Sequence, residues 1–416
     1  MRLTLRGAHL IDATHDLPAS DLTVADGRIV AVGPMAGPSD GHLARDGRAH
    51  ETRAREGGVV VDVADMLLLP GFIDVHTHGG GGFNLHTAEA AEIQAYARWA
   101  PQTGVTGFLI GVVGTPDALP EAQLRAAVAA IEECDTGARP LGIHLEGPYI
   151  NSVRRGAHMT SWLRMPDLAE AEHILALTRG HLRLVTLAPE LPGAPALIRC
   201  LVAAGVTVSI GHTDATYEET LAAIALGATH ATHCCNAMRP LLHRDPGPLG
   251  ALAQAAAVAG ELIADGVHVH PAVMQVVVRT LGSERTIVIT DAMAAAGMPD
   301  GPFEFAGQPA HIKQGAARLA DGTITGSVLT MDQALRNMLT MTDVALPAAV
   351  GMLTRNPARA AQVAAHKGLL RVGYDADLVL CDASLIPQAT FCGGTLAFAT
   401  AQWRERLESA LASGAV

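Results

Sequence analysis

Aromatic residues and positive charge are both scarce in this sequence. Phe, Trp and Tyr make up 3% of the 416 residues, and 29 Lys and Arg stand against 41 Asp and Glu, which gives a formal net charge of −12. Nucleic acids and anionic membranes need a basic surface on their protein partner, so we expect neither here. An anionic small molecule is not excluded, because one well-placed Arg can bind a phosphate in a protein of negative net charge.

Cysteine, long apolar runs and several catalytic motifs are also scarce or missing. Six irregularly spaced cysteines do not make a disulfide framework, and we expect reduced thiols in a cytoplasmic protein. Charge, Gly or Pro interrupts each apolar stretch well short of a membrane span, and the N-terminal MRLTLRGAHLID lacks the features of a signal peptide. No Gly-x-Ser-x-Gly elbow, P-loop lysine motif or dinucleotide glycine fingerprint is present, so serine-nucleophile, nucleotide and dinucleotide chemistry lack support.

The two ends of the chain predict a small β-domain. LTLRGAHLIDA and GVVVDVADMLLLP near the start, and GLLRVGYDADLVLCD near the end, combine β-branched or alternating apolar residues with Gly, Asp and Pro. This composition is typical of short strands and turns. The polar stretch between Pro38 and Gly58 is typical of an exposed loop. We expect residues 1–66 and 363–416 to pair into one domain.

Residues 67–362 have a different rhythm, in which short apolar runs alternate with helical stretches. Runs such as PLGIHLEGP, TVSIGHTDA and TIVITDAM end in polar residues, and Ala- and Leu-rich segments such as AQLRAAVAAIEEC separate them. About eight such strand–helix repeats predict a (β/α)8 TIM-like barrel. The carboxyl ends of barrel strands converge on one face, so the polar residues are expected to meet there.

Histidines and a carboxylate end several of these runs. His76 and His78 lie two residues apart after an apolar strand, so both rings can point toward one ion, although exposed or core histidines explain the pair equally well. Glu146 in HLEGP, His212 in IGHTD and His233 in ATHCC end three further runs. Each alone is more often structural, but together they predict a metal centre.

The ligand types predict the class of reaction. His and carboxylate ligands without a thiolate cage indicate an open, hydrolytic metal site rather than a closed structural one. Asp291 in VITDAM, at another strand end, can take a proton from water and return it to a leaving nitrogen. Cys234 and Cys235 leave a thiolate ligand open, but their place inside a strand end favours packing.

Several longer motifs are shared with a known family. They occur in order across most of the chain and include PGFIDVHTHGGGG, HLEGPYINSVRRGAH, GHTDATYEE, THCCNAMRPLLHRDPG, ADGVHVH, TDAMAAAG and GYDADLVL. On these motifs the chain resembles the N-acetylglucosamine-6-phosphate deacetylases of the amidohydrolase superfamily. The resemblance implies a barrel with a small β-sandwich domain formed by both termini, and deacetylation of the amino sugar phosphate to glucosamine 6-phosphate and acetate.

Two alternatives to this activity stay open at this point. One is a related amidohydrolase acting on another N-acyl amino sugar, such as a galactosamine 6-phosphate or an unphosphorylated sugar. The other is a sugar-phosphate sensor without catalysis. The presence of Asp291 argues against a sensor, because binding alone needs no proton shuttle.

The resemblance also implies the roles of the polar residues. Glu146, His212 and His233 fall on the family's main metal-binding positions, and Asp291 on the catalytic acid–base. His76 and His78 match members that hold a second metal, so the resemblance implies one or two divalent ions. Zinc is the first expectation, with iron, manganese and cobalt as alternatives.

The remaining matches concern the sugar. Ala157 and His158 are implied near the acetyl group, and Asn236, Ala237 and Arg244 near the phosphate. Further substrate contacts are implied for His268, Ile324, Thr325 and Gly326.

In the family the Arg reaches across from a neighbouring subunit, which implies a homodimer. As alternatives, Arg244 is a surface ion pair and His158 an exposed loop residue. At His270 and Ala295 the chain departs from the family's frequent Asp and Pro, which puts the exact shape of the sugar pocket in question.

Overall fold

Strands from both ends of the chain form one eight-stranded sheet. The computed structural model describes residues 2–34, 58–305, 308–313, 315–320, 322 and 324–413, so the predicted loop at 38–58 lies outside the described residues apart from its last position. The strands of this terminal sheet are Arg2–Ile11, Asp16–Ala25, Arg28–Pro34, Val59–Asp62, Leu67–Pro70, Leu378–Cys381, Pro387–Cys392 and Thr395–Ala399.

The N- and C-terminal strands join in the middle of this sheet. Leu67–Pro70 pairs antiparallel with Leu378–Cys381 and parallel with Arg2–Ile11. Buried and more accessible residues alternate along the first strand, as a sheet with one face on a core requires. Trp403 of the C-terminal helix Ala401–Ser413 packs in this core. The β-domain built from both termini is therefore confirmed. The strand Leu67–Pro70 belongs to this domain, although the strand lies just past residue 66. The exact domain boundaries, after residue 66 and before residue 363, stay a prediction.

Eight parallel strands form the second large sheet of the described chain. They are Phe72–Asp74, Val105–Val113, Arg139–Glu146, Leu182–Leu187, Thr207–Ile210, His230–Ala231, Ala259–Ile263 and Thr286–Ile289. Each strand is hydrogen-bonded to the next in chain order, and most of their residues are buried, as in a sheet covered on both faces.

Backbone hydrogen bonds close this sheet into a barrel just beyond its first and last strands. The amide of Asp291 donates to the carbonyl of His76 at 2.8 Å, and the amide of His78 donates to the carbonyl of Ala292 at 2.8 Å. The closing seam therefore runs through residues that the sequence places in the site. The predicted (β/α)8 barrel is confirmed.

Helices follow the barrel strands and pack around them. They are Ala90–Trp99, Glu121–Glu133, Leu168–Thr178, Ala194–Ala203, Tyr217–Ala225, Gly247–Gln254, Pro271–Leu281, Met331–Met341, Leu346–Leu353 and Arg355–Ala360, with 3₁₀ turns at Ala100–Thr103, Ser152–Arg154 and Thr160–Trp162. Local sequence explains their ends. Thr216 and Glu219, for example, form a reciprocal capping box at the start of Tyr217–Ala225. No helix in the described ranges is long and apolar enough to cross a membrane.

Smaller sheets lie near the closing seam. Gly301–Phe305, Gln308–Lys313, Ala316–Leu319 and Ile324–Ser327 form an antiparallel sheet, and Gly79–Gly80 pairs with Phe83–Asn84 in a short hairpin. The amide of Ser327 donates to the carbonyl of Asp291 at 2.9 Å, and the amide of Met293 donates to the carbonyl of Ser327 at 3.0 Å. These bonds hold the end of the antiparallel sheet beside the carboxyl face of the barrel.

Candidate active site

Glu146 lies at the centre of a group of buried histidines. It ends the strand Arg139–Glu146, and its Oε1 lies 3.0 Å from Nε2 of His212 and 3.3 Å from Nε2 of His233. Its Oε2 lies 3.2 Å from Nε2 of His78, and Nε2 of His76 is 3.4 Å from Oε1. The five expected ligands are thus brought together from strand ends far apart in the chain.

Two overlapping groups of these side chains can each hold a cation. The candidate ligand atoms of Glu146, His212 and His233 lie within 4.8 Å of one another, and so do those of His76, His78 and Glu146. Tetrahedral ligands about 2.0–2.1 Å from a zinc ion stand about 3.3 Å apart. The Nε2 atoms of His212 and His233 are 3.0 Å apart, close to that spacing. Imidazole and carboxylate donors at these separations fit a divalent transition-metal ion.

The charges of the site favour a cation as well. Burial raises the pKa of Glu146, but the charge on His76 and hydrogen bonds from the surrounding histidines outweigh it and hold that pKa well below its usual range. In the opposite sense, burial lowers the pKa of His78, but hydrogen bonds to Asp291 and Glu146 outweigh burial and raise it to about 9. The pocket therefore favours positive charge between these carboxylates.

Asp291 faces the same centre. Its Oδ1 lies 3.4 Å from Nε2 of both His76 and His78. Burial raises the pKa of Asp291, but the charge of His76 and a hydrogen bond from His78 prevail and lower it to about 2. Asp291 is therefore ionised at neutral pH, which is the state that a general base requires.

Three of the site residues have left-handed backbone conformations. The φ angles are 47° at His212, 27° at His233 and 49° at Asp291, each just beyond the end of a barrel strand. Non-glycine residues adopt this region infrequently, and such strain clusters at functional sites. The same local turn thus recurs at three strand ends that carry site residues.

A cavity of about 490 Å³ opens beside the ligand groups. This volume suits a small-molecule ligand. Most of the predicted substrate-binding residues line it, namely Ala157, His158, Asn236, Ala237, His268, Ile324, Thr325 and Gly326. Arg244 is absent from the lining of its own chain's cavity.

Comparison with known proteins agrees with this geometry. The sequence profile of the Amidohydrolase family matches residues 67–401. The chain belongs to the amidohydrolase family.

Individual relatives of this amidohydrolase cover most of its length. It is 38% identical over 331 residues to N-acetylglucosamine-6-phosphate deacetylase of Lysinibacillus sphaericus, which spans 79% of this chain and 85% of that protein. It is 35% identical over 398 residues to N-acetylgalactosamine-6-phosphate deacetylase of Escherichia coli O157:H7, spanning 95% of this chain and all of that protein (100%).

A solved structure is similar as well. The structure of a mutant N-acetyl-D-glucosamine-6-phosphate deacetylase from Mycobacterium smegmatis, in complex with N-acetyl-D-glucosamine-6-phosphate, superposes with a TM-score of 0.85. The two sequences are 36% identical, and the match covers 96% of this chain and 99% of the other.

Glu261 supports the ion ligands of this amidohydrolase, and sequence analysis missed it. His76 donates its Nδ1–H to Oε2 of this buried carboxylate at 2.9 Å, and the backbone amide of His233 donates to the same oxygen at 3.1 Å. A carboxylate behind a ligating imidazole fixes the ring tautomer and turns Nε2 toward the ion. The available signal was a charged residue inside the apolar run AGELIA, which a core tolerates only when it is paired.

Asp74 and His86 were also missed. The Asp74 carboxylate accepts a 2.5 Å hydrogen bond from Oγ1 of Thr290 and so links the first barrel strand to the end of the last. Burial raises its pKa to about 7. His86 lines the cavity, and its Nδ1 accepts a hydrogen bond from the amide of Val113 at 3.3 Å. Burial, together with the charge of His78, lowers the pKa of His86 to about 4, so its ring is neutral.

His158 and His268 lie on the cavity wall in defined environments. His158 is buried, with Nε2 3.4 Å from Oε2 of Glu146, and is therefore not the exposed loop residue of the alternative interpretation. Burial lowers its pKa, so the ring is neutral and able to donate a hydrogen bond. Nδ1 of His268 lies 2.6 Å from Oδ2 of Asp265, which orients the ring.

Arg244 is exposed on the loop before Gly247–Gln254. Arg244 forms no ion pair with any residue in the described part of the chain. The alternative role of Arg244 in a surface ion pair is therefore not observed there. The ion pairs on this loop belong instead to Arg239, which bonds Asp214 and Asp245.

The two departures from the family motif lie away from the cavity lining. The His270 side chain accepts a hydrogen bond from the amide of Ala272 at 3.2 Å and caps the helix Pro271–Leu281. Ala295 is buried in a small cluster with Ile312 and Ala317 of the antiparallel sheet.

The cysteines play no part in the ligand groups. All six are free thiols. Cys234 is buried and Cys235 is exposed, and neither belongs to the candidate metal groups found among the described residues. The expectation of packing therefore holds for Cys234 and is wrong for the exposed Cys235.

Proposed function

We propose that this amidohydrolase removes the acetyl group of N-acetylglucosamine 6-phosphate, giving glucosamine 6-phosphate and acetate. The observation that carries the proposal is the ionised Asp291 beside a cation site built from Glu146, His212 and His233, all four lining a cavity of about 490 Å³. Relatives named as deacetylases of this sugar phosphate support the choice of substrate.

The site residues have separate tasks in this reaction. Glu146, His212 and His233 would hold a divalent ion, which would lower the pKa of a water molecule and polarise the amide carbonyl. Asp291 accepts a proton from the attacking water and returns one to the leaving nitrogen as the C–N bond breaks and a C–O bond forms. His158, neutral and buried, donates a hydrogen bond to the carbonyl oxygen, where negative charge develops.

The ion is zinc in this proposal. Three neighbouring side chains with imidazole and carboxylate donors and an open side are typical of catalytic zinc, although iron, manganese and cobalt accept the same donors. The group His76, His78 and Glu146 supports a second ion, so we propose one or two per subunit. Free thiols throughout the chain support a reducing, cytoplasmic location.

Substrate recognition divides between the ends of the sugar. Ala157 and His158 contact the acetyl group, and His268 and the segment Ile324, Thr325 and Gly326 contact the sugar. Asn236 and Ala237 bind the phosphate together with Arg244 of the partner subunit, in a homodimer. An exposed Arg outside the lining of its own cavity supports a contact in trans, and an Arg fork is well suited to phosphate.

A second candidate substrate is N-acetylgalactosamine 6-phosphate. It is favoured by the 35% identity to an Escherichia coli deacetylase of that sugar phosphate across 95% of this chain. The two sugars differ only in the configuration of one hydroxyl group.

The test is acetate release by purified protein, with elemental analysis of the same sample. N-acetylglucosamine and N-acetylgalactosamine are each supplied with and without the 6-phosphate. We expect bound zinc and the highest kcat/KM on N-acetylglucosamine 6-phosphate. A higher kcat/KM on N-acetylgalactosamine 6-phosphate would make that sugar phosphate the substrate instead. If none of the four sugars releases acetate, the proposal is overturned.

A further inference from the structure

Two arginines from different loops hold the carboxylate of Asp214. Nε of Arg154 donates to its Oδ1 at 2.8 Å, and Nη2 of Arg154 lies 2.7 Å from the same oxygen. Nη2 of Arg239 donates to Oδ2 at 3.2 Å, and Nε of Arg239 donates to the backbone carbonyl of Asp214 at 2.8 Å. Both carboxylate oxygens are therefore engaged, one by each arginine. Asp214, Arg154 and Arg239 are called the clamp below.

The clamp joins three loops that leave barrel strands at the carboxyl face. Arg154 follows the strand Arg139–Glu146, Asp214 follows Thr207–Ile210, and Arg239 follows His230–Ala231. Backbone bonds also join these loops: the amide of Thr213 donates to the carbonyl of Ala237 at 3.0 Å, and the amide of Arg239 donates to the carbonyl of Thr213 at 3.0 Å. The clamp adds side-chain bonds that reach these paired loops from the loop of Arg154, which follows a strand that is not adjacent to theirs.

On one side the clamp reaches the ion ligands. The backbone carbonyl of Arg154 accepts a hydrogen bond from Nδ1 of His212 at 2.8 Å, which orients this ring toward Glu146. Arg154 also lies on the loop that carries Ala157 and His158.

On the other side the clamp reaches the loop that carries Arg244. Nη1 of Arg239 donates to Oδ2 of Asp245 at 2.7 Å, and the carbonyl of Asp245 accepts from the amide of Leu242 at 2.9 Å. Arg244 lies between these two bonded residues, so the loop that carries it is tied to Arg239.

Asp214 is itself held in place. Its amide donates to Oε1 of Glu190 at 2.7 Å, and Oγ1 of the preceding Thr213 donates to Oε2 of Glu190 at 2.6 Å. Glu190 also accepts a 2.9 Å hydrogen bond from Nδ2 of Asn151. A fixed carboxylate between two arginines can set a distance between loops, which a freely rotating one cannot.

The clamp side chains are each 27–30% exposed, so solvent screens their charges. Ion pairs of this kind contribute little to stability, whereas paired guanidinium–carboxylate bonds impose geometry. The role of the clamp is therefore one of orientation.

We propose that Asp214 is a positioning residue that sets the place of the Arg244 loop on its own subunit, and thereby the reach of Arg244 to the substrate phosphate in the neighbouring site. Asp214 is not among the residues that line the cavity. The inference rests on the proposed function, because it requires a phosphorylated substrate and a phosphate-binding Arg244.

Steady-state kinetics of Asp214→Ala on N-acetylglucosamine 6-phosphate and on N-acetylglucosamine test the inference. Misplacement of a binding group by about 1 Å can cost up to about a hundredfold, so we expect KM for the phosphorylated sugar to rise about tenfold or more. We expect kcat, zinc content and the unfolding temperature to stay near those of the unaltered protein. We also expect KM for the free sugar to be unchanged.

A double-mutant cycle separates positioning from an independent effect. Once Arg244→Ala has removed the phosphate contact, adding Asp214→Ala should raise KM little further, because the clamp acts through Arg244. Arg239→Ala should reproduce Asp214→Ala. Asp343→Ala is the matched control, since it removes an exposed Arg–Asp pair, 2.6 Å long with Arg279, far along the chain from the clamp.

The outcomes distinguish this inference from the proposed function. Equal rises in KM on both sugars, loss of zinc, or additive effects of Asp214→Ala and Arg244→Ala would overturn the positioning role while leaving deacetylation intact. An unaltered protein without preference for the phosphorylated sugar would overturn both the phosphate contact and the positioning role. If Asp214→Ala does not fold, Asp214→Asn, which keeps the shape but not the charge, is judged by the same comparison.

Discussion

Asp291 is the residue on which proton transfer depends in the proposed reaction. Asp291→Asn keeps the shape of the side chain but cannot accept a proton from water. We expect kcat to fall by about 10²- to 10⁴-fold, the usual contribution of a general acid–base group, while the ion stays bound. Acetate release and elemental analysis on the same preparation check this. Near-normal turnover would eliminate Asp291 as the acid–base.

Glu261 acts on the ion through the rings that it orients. Glu261→Gln keeps a hydrogen-bonding side chain but removes the buried charge that fixes His76 and His230. We expect the affinity for zinc to fall about 10- to 100-fold, as is usual when such a supporting carboxylate is altered. Competition with a chelator measures this affinity. The exposed Glu132→Gln serves as control, and an unchanged affinity in Glu261→Gln would contradict the assignment.

At the residue scale, the sequence predicts the metal ligands, because they end apolar runs. It does not predict the buried side chains that hold the site in place by hydrogen bonds. His212 and His233 stand out because polar residues interrupt the pattern at a strand end. Glu261 and Asp74 lie within or next to strands, and only the three-dimensional structure shows the partners that make their burial tolerable.

At the scale of elements, Asp12 joins the first strand to the segment that precedes the C-terminal strands. Its Oδ1 accepts from the amides of Thr14 and His15 at 2.6 and 2.7 Å, and its Oδ2 accepts from the amide of Leu370 at 2.8 Å. Burial raises the pKa of Asp12, but the hydrogen bonds from Thr14 and Leu370 outweigh it and lower the pKa below 3.8.

We therefore expect Asp12→Ala to lower the free energy of unfolding by about 2–4 kcal/mol at neutral pH. Because the folded pKa is depressed, this stabilisation is present above the unfolded value of 3.8 and is lost as pH falls through the folded value. Calorimetric unfolding of both proteins between neutral and acidic pH measures the difference, with the exposed Asp135→Ala as control. A difference that grows on acidification would contradict this account.

The elements themselves were predictable where one periodicity dominates. Alternating and β-branched apolar residues predicted the terminal strands, and the repeated alternation of strand and helix patterns predicted the barrel. The antiparallel sheet at residues 301–327 was not predicted, because its strands are short and follow no catalytic motif. The three left-handed turns were also missed, since His and Asp carry no local signal for a positive φ comparable to that of Gly.

At the scale of the whole molecule, a homodimer with Arg244 acting in trans predicts complementation. Arg244→Ala and Asp291→Asn subunits are each expected to be impaired alone. In a mixed dimer one of the two sites combines an intact Asp291 with an intact Arg244 of the partner subunit. Random mixing in equal amounts should restore roughly a quarter of the sites.

Acetate release before and after subunit exchange, at low substrate concentration, measures this recovery. Two Arg244→Ala preparations mixed with each other provide the control and should gain nothing. Absence of recovery despite subunit exchange shown by size-resolved labelling would place Arg244 in its own site or outside any site.

The closing seam of the barrel has a consequence for how the protein is made. His76 and His78 leave the ribosome early, but the partners that bond their backbones, Asp291 and Ala292, are translated more than half a chain later. A nascent chain halted before that point already contains Glu146, His212 and His233, but it lacks Asp291 and the backbone bonds that close the barrel. Hydrolysis by the proposed mechanism therefore requires synthesis to pass Asp291, the residue that supplies the acid–base and also closes the barrel.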